Sequence, residues 1–505
     1  MSDPISATPV TRRTLGTLVI MSLTAAAAAC DAGADPTTGR DSVNLGFLAE
    51  PENLDFTRTS GAAIPQVLLT NVYEGLVKLD DSGRIQPLLA ESWTVSADRR
   101  TYDFQLHSNV TFSNGDPFTA ETVKFSFERV KSDAWNVSVK KQMDILDHVE
   151  VVSPTQARVV LVRPSNEWLF DMTGRPGAMF TPGGIADLAG SPVGTGPYTV
   201  SRWTRGESIV LTRRAGYWAT KPALSTVTFR YFKDLNAEDN ALRTGAVDAI
   251  IGFGSPDVLP QLTADGFHVI EGKSNAEVVL AMNNAAGPLR DKRIRQAIRY
   301  AIDRAAVLQA TAGGHGTLIG TMVPPTDPWY EDLTARYPTD PQKARTLLAD
   351  AAPGGLTLRF RIPNLPYAQT AAQVVKSDLA KVGVDAKIEV LEFPARWLSE
   401  VFNKHDYDLS LIAHVEPRDL LKFGDPHYYW GYDNAEVRKL MAAADAGTLE
   451  EQTADLREAG RIVADDAACD WLYLMANLNV VRDGLNGVAV NSVGESFDVT
   501  TLTWR

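Results

Sequence analysis

From Val43 onward the chain alternates short apolar strands with amphipathic helices, without a fixed repeat. This alternation is the strongest constraint on the fold, because strands separated by helices must share a sheet whose faces those helices cover. It predicts the α/β class. In "DKRIRQAIRYAIDRAAVLQA", Asp291 is placed to cap a helix whose stripe is Ile294, Ile298, Ala301, Ile302 and Ala305, with the arginines facing elsewhere. "TDPQKARTLLADA" opens with Asp340 as cap and Pro341 at the first helical position, where a missing N–H costs nothing. "YAQTAAQVVKSDLAKVG" puts Ala368, Ala372, Val375, Leu379 and Val382 on one face, with Gly383 to close it. "VDAKIEVLEF" then reads as a strand.

At 505 residues the chain is too long for one ordinary core, and two or three domains are expected. The formal net charge of −13 argues against a nucleic-acid groove, which needs a basic face to displace counterions. There are only 2 cysteines, so a packed core rather than disulfides must hold the chain.

"TRRTLGTLVIMSLTAAAAAC" carries Arg12 and Arg13 before an apolar run and small residues ending at Cys30, the grammar of an export signal over residues 1–29. The run is short of the roughly 20 strongly apolar residues that a membrane span needs. The paired arginines resemble a twin-arginine signal, and Ala-Ala-Ala-Cys resembles a lipoprotein processing site, with Ala27 where Leu is usual. Lipid on Cys30 would anchor the chain to the outer face of the cytoplasmic membrane, with residues 30–40 as a tether.

The stretch "YDLSLIAHVEPRD", residues 407 to 419, begins as an alternating strand. Tyr407, Leu409, Leu411 and Ala413 take one face; Asp408, Ser410, Ile412, His414 and Glu416 take the other. It stops at Pro417, so that His414, Val415, Glu416, Arg418 and Asp419 gather at a strand's carboxyl end, where open α/β sheets tend to hold ligands.

Several segments in order resemble the peptide- and nickel-binding family (family 5) of ABC-transporter solute-binding proteins. They are "NLDF", "NVYEGLVKLD", "LLAESWTVSADRRTYDFQLHSNVTFSNGDPFTAETVKFSFERV", "SPVGTGPYTVSRWTRGESIVLTRRAGYW", "LRTGAVDAI", "PLRDKRIRQAIRYAIDR" and "YPTDPQKARTLLADA". By themselves, Asn114-Gly115 reads as a tight turn before a helix capped by Thr119 with Glu121 in its first turn, and Gly194 and Gly196 as turn glycines that Pro197 rigidifies. The resemblance implies a two-lobe clamshell of the large periplasmic-binding-protein type. Lobe I would cover 41–271, with an extra subdomain about 81–190, and lobe II 272–481; 482–505 would return to lobe I, with a hinge between the lobes.

It further implies a monomeric receptor for small peptides or a related aminated solute, delivering it to ABC permease subunits with their cytoplasmic ATPase. No cofactor and no catalytic residue are implied. In dipeptide-binding members the strand matching residues 407–419 leads to an acid that pairs with the ligand ammonium, and Glu416 aligns there, with Asp419 as a second acid. Where those members carry an Arg for the ligand carboxylate, "NLPYAQ" has Leu365. A free dipeptide would then need Arg418, Arg361 or Arg396 to take over, while longer, amidated or cyclic peptides and nonpeptide cations would not. Thr59, Ser60 and Gly61 correspond to a cleft-lining loop, and Phe393 and Trp397 are candidates for a stacking wall.

Other readings stay open. His414 offers a metal-chelate route, although no HExxH or paired CxxC occurs and no metal site is assigned; His427 is a weaker candidate of the same kind. A ligand-presenting signalling receptor would use the same clamshell. "SVKK" from Ser138 fits the S-x-x-K of penicillin-recognising hydrolases, but without its companion KTG it reads as a chance match.

Overall fold

A computed structural model describes residues 39–505. The expected export signal, Cys30 and residues 30–38 of the expected tether lie outside the described residues. One sheet runs through the molecule in the order Val384–Leu391, Leu356–Pro363, Leu409–His414, His268–Met282, Cys469–Val481, Ala249–Ile251, Ser42–Phe47, Thr226–Tyr231, Ser208–Arg213 and Tyr198–Thr204. The class is α/β, with parallel and antiparallel neighbours mixed.

Two separate cores flank the middle of this sheet. Around Val43, Leu45, Phe229, Phe56 and Trp135 lies the first. The second sandwiches the Leu409–His414 strand between Ile298, Val375 and Leu379 on one face, where Leu356–Pro363 also packs, and Tyr407, Phe423, Trp430 and Trp471 on the other. The parts built around these cores are called lobe I and lobe II. A four-stranded antiparallel sheet, Ala90–Val95, Thr101–Leu106, Gln156–Leu161 and Leu146–Ser153, packs with the helix Ala120–Lys131 in lobe I. After Val481 the chain returns to lobe I, where Asn71 Nδ2 donates to Phe497 O (2.8 Å) and Val499 N donates to Asn71 Oδ1 (3.0 Å).

Among the described residues, only the strands His268–Met282 and Cys469–Val481 run through both lobes. They pair antiparallel along their length, with a register slip between Lys273 and Glu277. Ser274 stitches the slip: its Oγ donates to Met475 O (2.7 Å) and accepts from Ala276 N (3.1 Å). Glu277 is the first paired residue beyond it.

Local expectations meet the structure unevenly. Asp340 accepts from Lys343 N (2.9 Å) and caps Pro341–Ala351. Pro366–Lys381 buries Ala368, Ala372, Val375 and Leu379, and Gly383 follows at φ 88. Thr119 stands at the N-cap of Ala120–Lys131, its N–H donating to Thr122 Oγ1 (2.9 Å).

The expected single helix after Asp291 is two, Lys292–Ala301 and Arg304–Ala312. Asp303 breaks it by accepting from Ala306 N (3.0 Å) as a new cap. Arg293 is exposed, but Arg295, Arg299 and Arg304 are buried. Arg295 donates to Ala467 O and Leu289 O, Arg299 to Ala464 O, and Arg304 to Ile319 O. Gly194 is kept by close approach rather than by a turn, since a Cβ there would sit 1.9 Å from Val72 O.

Candidate functional site

The Leu409–His414 strand is central, between Leu356–Pro363 and His268–Met282, so both of its faces are buried and the expected polar face is absent. Tyr407 belongs with Ile412 in one core while Leu409 and Leu411 join the other. Beyond His414 the backbone turns, with Arg418 in the left-handed region at φ 61.

His414 sits opposite Glu277 in the strand register. Its Nε2 is hydrogen-bonded to Tyr429 Oη (3.0 Å) and its ring stacks on Tyr429, which leaves Nδ1 turned toward Asp419 Oδ2, 4.0 Å away. Burial, aided by the Lys422 charge, holds the imidazole neutral by lowering its pKa to about 3. Donor atoms of His414, Glu416 and Asp419 all lie within 4.8 Å of one another. Val415 and Glu416 are exposed at the rim, whereas Asp419 is sealed.

The acid that sequence reasoning missed is Glu277. Glu277 is 1% and Asp419 0% exposed, and among the described residues neither oxygen of either carboxylate has a hydrogen-bond partner. Burial raises both well above the usual carboxylate range, and each is raised further by the Glu416 charge. Asp327, another residue not foreseen, adds a sealed, unpartnered Oδ2; burial raises it to about 7 against the opposing pull of Arg418. From lobe I, burial and the neighbouring Glu167 push Asp171 up to about 8.

Arg418 crosses between the lobes. Its Nη1 pairs with Glu167 Oε1 (2.8 Å), which also accepts from Gln452 Nε2 (2.9 Å), and its guanidinium lies 3.6 Å from the Phe170 ring centroid. Nearby, Asn166 Nδ2 donates to Ala444 O and Gly447 O (both 2.8 Å), and Ser165 Oγ to Asp445 Oδ1 (2.6 Å). The lobes are therefore closed on each other around Arg418.

Other candidates fall elsewhere. Trp397 is a core residue, not a cleft wall: it is buried and donates from Nε1 to Ser410 Oγ (3.1 Å). Phe393 edges the same core, 6.1 Å from the Trp397 ring. Thr59, Ser60 and Gly61 form a turn in lobe I in which Asn53 Nδ2 donates to Thr59 Oγ1 (2.7 Å), and no hydrogen bond joins them to lobe II among the described residues. Leu365 precedes Pro366–Lys381 and packs against the lobe II core. His427 is exposed, as is Ser138. Cys469 is buried, which pushes its thiol up to about 12.

Three donor atoms so spaced suit an ammonium. With acceptors at about 2.8 Å, a tetrahedral ammonium has edges of roughly 4.6 Å. A tetrahedral metal at about 2.1 Å draws its donors to roughly 3.4 Å, closer than the 4.0 Å between His414 and Asp419.

The raised acids also set a pH dependence. The folded chain keeps protons on Asp327 and Asp171 at pH values where the unfolded chain, titrating near 3.8, has released them. Their contribution to stability therefore falls as pH rises from about 4 to about 8. The ligand-free protein should show a Tm that declines across this range, with a shallower decline in Asp327→Asn, as read by scanning fluorimetry.

A model of the family "Bacterial extracellular solute-binding proteins, family 5 Middle" matches residues 84–441. The chain is 29% identical to the glutathione-binding protein GsiB of Salmonella typhimurium over 338 residues, 65% of this chain and 65% of that relative, so the match spans just under two thirds of the relative's length. In fold it is similar to the ABC transporter substrate-binding protein CtaP from Listeria monocytogenes, with a TM-score of 0.81 at 21% identity over 92% of this chain and 99% of that one. It is also similar to the ABC transporter-associated periplasmic binding protein DppA from Helicobacter pylori in complex with peptide STSA, with a TM-score of 0.75 at 22% identity over 92% and 98%.

Proposed function

Because the chain belongs to family 5 of the bacterial extracellular solute-binding proteins and has the mixed α/β fold of periplasmic binding proteins, we propose that it is the solute receptor of an ABC importer. It binds a small peptide or a related aminated solute between its lobes and presents the closed form to membrane permease subunits. The observation that carries this reading is the sealed, unpartnered pair Glu277 and Asp419. Two buried carboxylates without donors are costly, and a ligand ammonium supplies both the charge and the N–H groups they lack. Glu416 adds its charge from the rim. The receptor is held as a monomer at the outer face of the cytoplasmic membrane by lipid on Cys30.

Ligand binding and closure are then one event. Contacts from Glu277 and Asp419 in lobe II and across Arg418 to Glu167 in lobe I exist together only in the closed form, so a ligand that uses both lobes favours it. No chemical step is involved, and the receptor should bind stoichiometrically without turnover.

Calorimetry with glycyl-leucinamide and its N-acetyl derivative tests the ammonium anchor. The free amine should bind and the acetylated one should not. Glu416→Ala, at the exposed rim, should weaken the amine by about 0.5–1.5 kcal/mol, a smaller loss than a buried acid would give. Equal binding of both probes would remove the proposal.

A further inference from the structure

One ammonium does not exhaust the negative charge between the lobes. Beyond Glu277, Glu416 and Asp419, the Arg418 side holds Asp327, whose Oδ2 is sealed and unpartnered, and Asp171, whose Oδ1 accepts from Gln142 Nε2 (2.8 Å). Glu167 and Asp445 stand beside Asp171, and the cations facing this set are Arg418 and Lys422. Arg418 is already paired with Glu167 at 2.8 Å. A singly charged guest placed on Glu277 and Asp419 leaves the sealed Oδ2 of Asp327 without a donor.

A ligand carboxylate meets the opposite situation. Arg361 is tied to Glu389 (2.9 Å) and Asp406 (2.7 Å), and Arg396 to Glu389 (2.7 Å). Among its buried donors Arg418 keeps Nε unpartnered. With Glu167 bound to the same guanidinium and Asp327 close by, that donor suits a neutral carbonyl and repels an anion.

We infer, resting on the ammonium reading above, that the solute carries at least two positive charges and no carboxylate. One ammonium sits on Glu277 and Asp419, a second cationic group lies on the side of Asp327 and Asp171, and a neutral acceptor such as an amide carbonyl meets Arg418 Nε. Di- and polyamines with an amide and basic peptide amides belong to this class; zwitterionic dipeptides do not.

Calorimetry on the purified chain with four probes tests this. Glycyl-lysinamide has two ammoniums and no carboxylate, glycyl-leucinamide one ammonium, glycyl-lysine two ammoniums and a carboxylate, and N-acetyl-glycyl-leucinamide no charge. Glycyl-lysinamide should bind at least tenfold more tightly than glycyl-leucinamide and glycyl-lysine. Asp327→Asn should bring it to the level that glycyl-leucinamide shows on the same variant. If glycyl-leucinamide or glycyl-lysine binds wild type as tightly as glycyl-lysinamide, the inference is overturned and the ammonium anchor stands. If the uncharged probe matches glycyl-leucinamide, or if none of the four binds, the anchor itself falls and the inference with it.

Discussion

Replacing Asp419 by Asn should weaken binding of an amine-terminated ligand by about 2–5 kcal/mol, which is roughly thirtyfold or more in Kd, and should at the same time raise the Tm of the ligand-free protein. Both effects have one origin. Asp419 is fully buried with no donor on either oxygen, so the empty protein bears the cost of a desolvated acid that only a cation relieves. An amide keeps the shape, removes that cost and cannot neutralise a charge. Such opposed changes mark a binding group held against stability. A variant that loses Tm and keeps Kd would instead make Asp419 a structural residue, and calorimetry paired with scanning fluorimetry reads both quantities.

Arg299→Ala should have the largest effect on folding, about 3–5 kcal/mol. Arg299 is 0% and Asp470 1% exposed, and the two are paired at 3.2 Å. The guanidinium also donates to Ala464 O (2.9 Å) near the end of Leu449–Asp465 and to Gly320 O (3.3 Å), and it lies 4.2 Å from the Tyr337 ring centroid and 4.9 Å from that of Trp471. Truncation strands a buried carboxylate and two carbonyls. Joint replacement by Arg299→Met and Asp470→Leu should restore most of the loss, since an apolar pair leaves no charge behind. Urea unfolding at neutral pH measures both; a double variant as unstable as the single one would show that the carbonyls, not the ion pair, set the cost.

What was legible in the sequence is what depends on neighbours along the chain. Asp340 with Pro341, and the stripe from Ala368 to Leu379 closed by Gly383, are local signals, and they match the structure. Asp303 was equally local, but the apolar period running through Ile302 masked it as a cap. Arg295, Arg299 and Arg304 read only as lying off the apolar stripe, because a helical wheel shows charge and not the carbonyls that another segment brings to meet it. His414, Glu416 and Asp419 were found together because they are close in sequence. Glu277 was not, since one acid in an apolar strand reads as the solvent side of an alternation. Its meaning comes from the register that sets it opposite His414, more than a hundred residues away. Asp327, in "PPTDPWY", looks like any turn residue until Arg418 is folded against it.

The placement of Cys469–Val481 dictates the order in which the molecule can be completed. Its latter part pairs with Ala249–Ile251 and its whole length with His268–Met282, and the closing residues supply Phe497 O to Asn71 and pair Leu485 with Trp504. Lobe I is thus begun by the earliest described residues and finished by segments that follow lobe II, so a growing chain carries an open edge at Ala249–Ile251 until Cys469–Val481 has been made. Its assembly is governed by contacts of very high sequence separation, which makes folding slow and keeps lobe I incomplete while lobe II is being made.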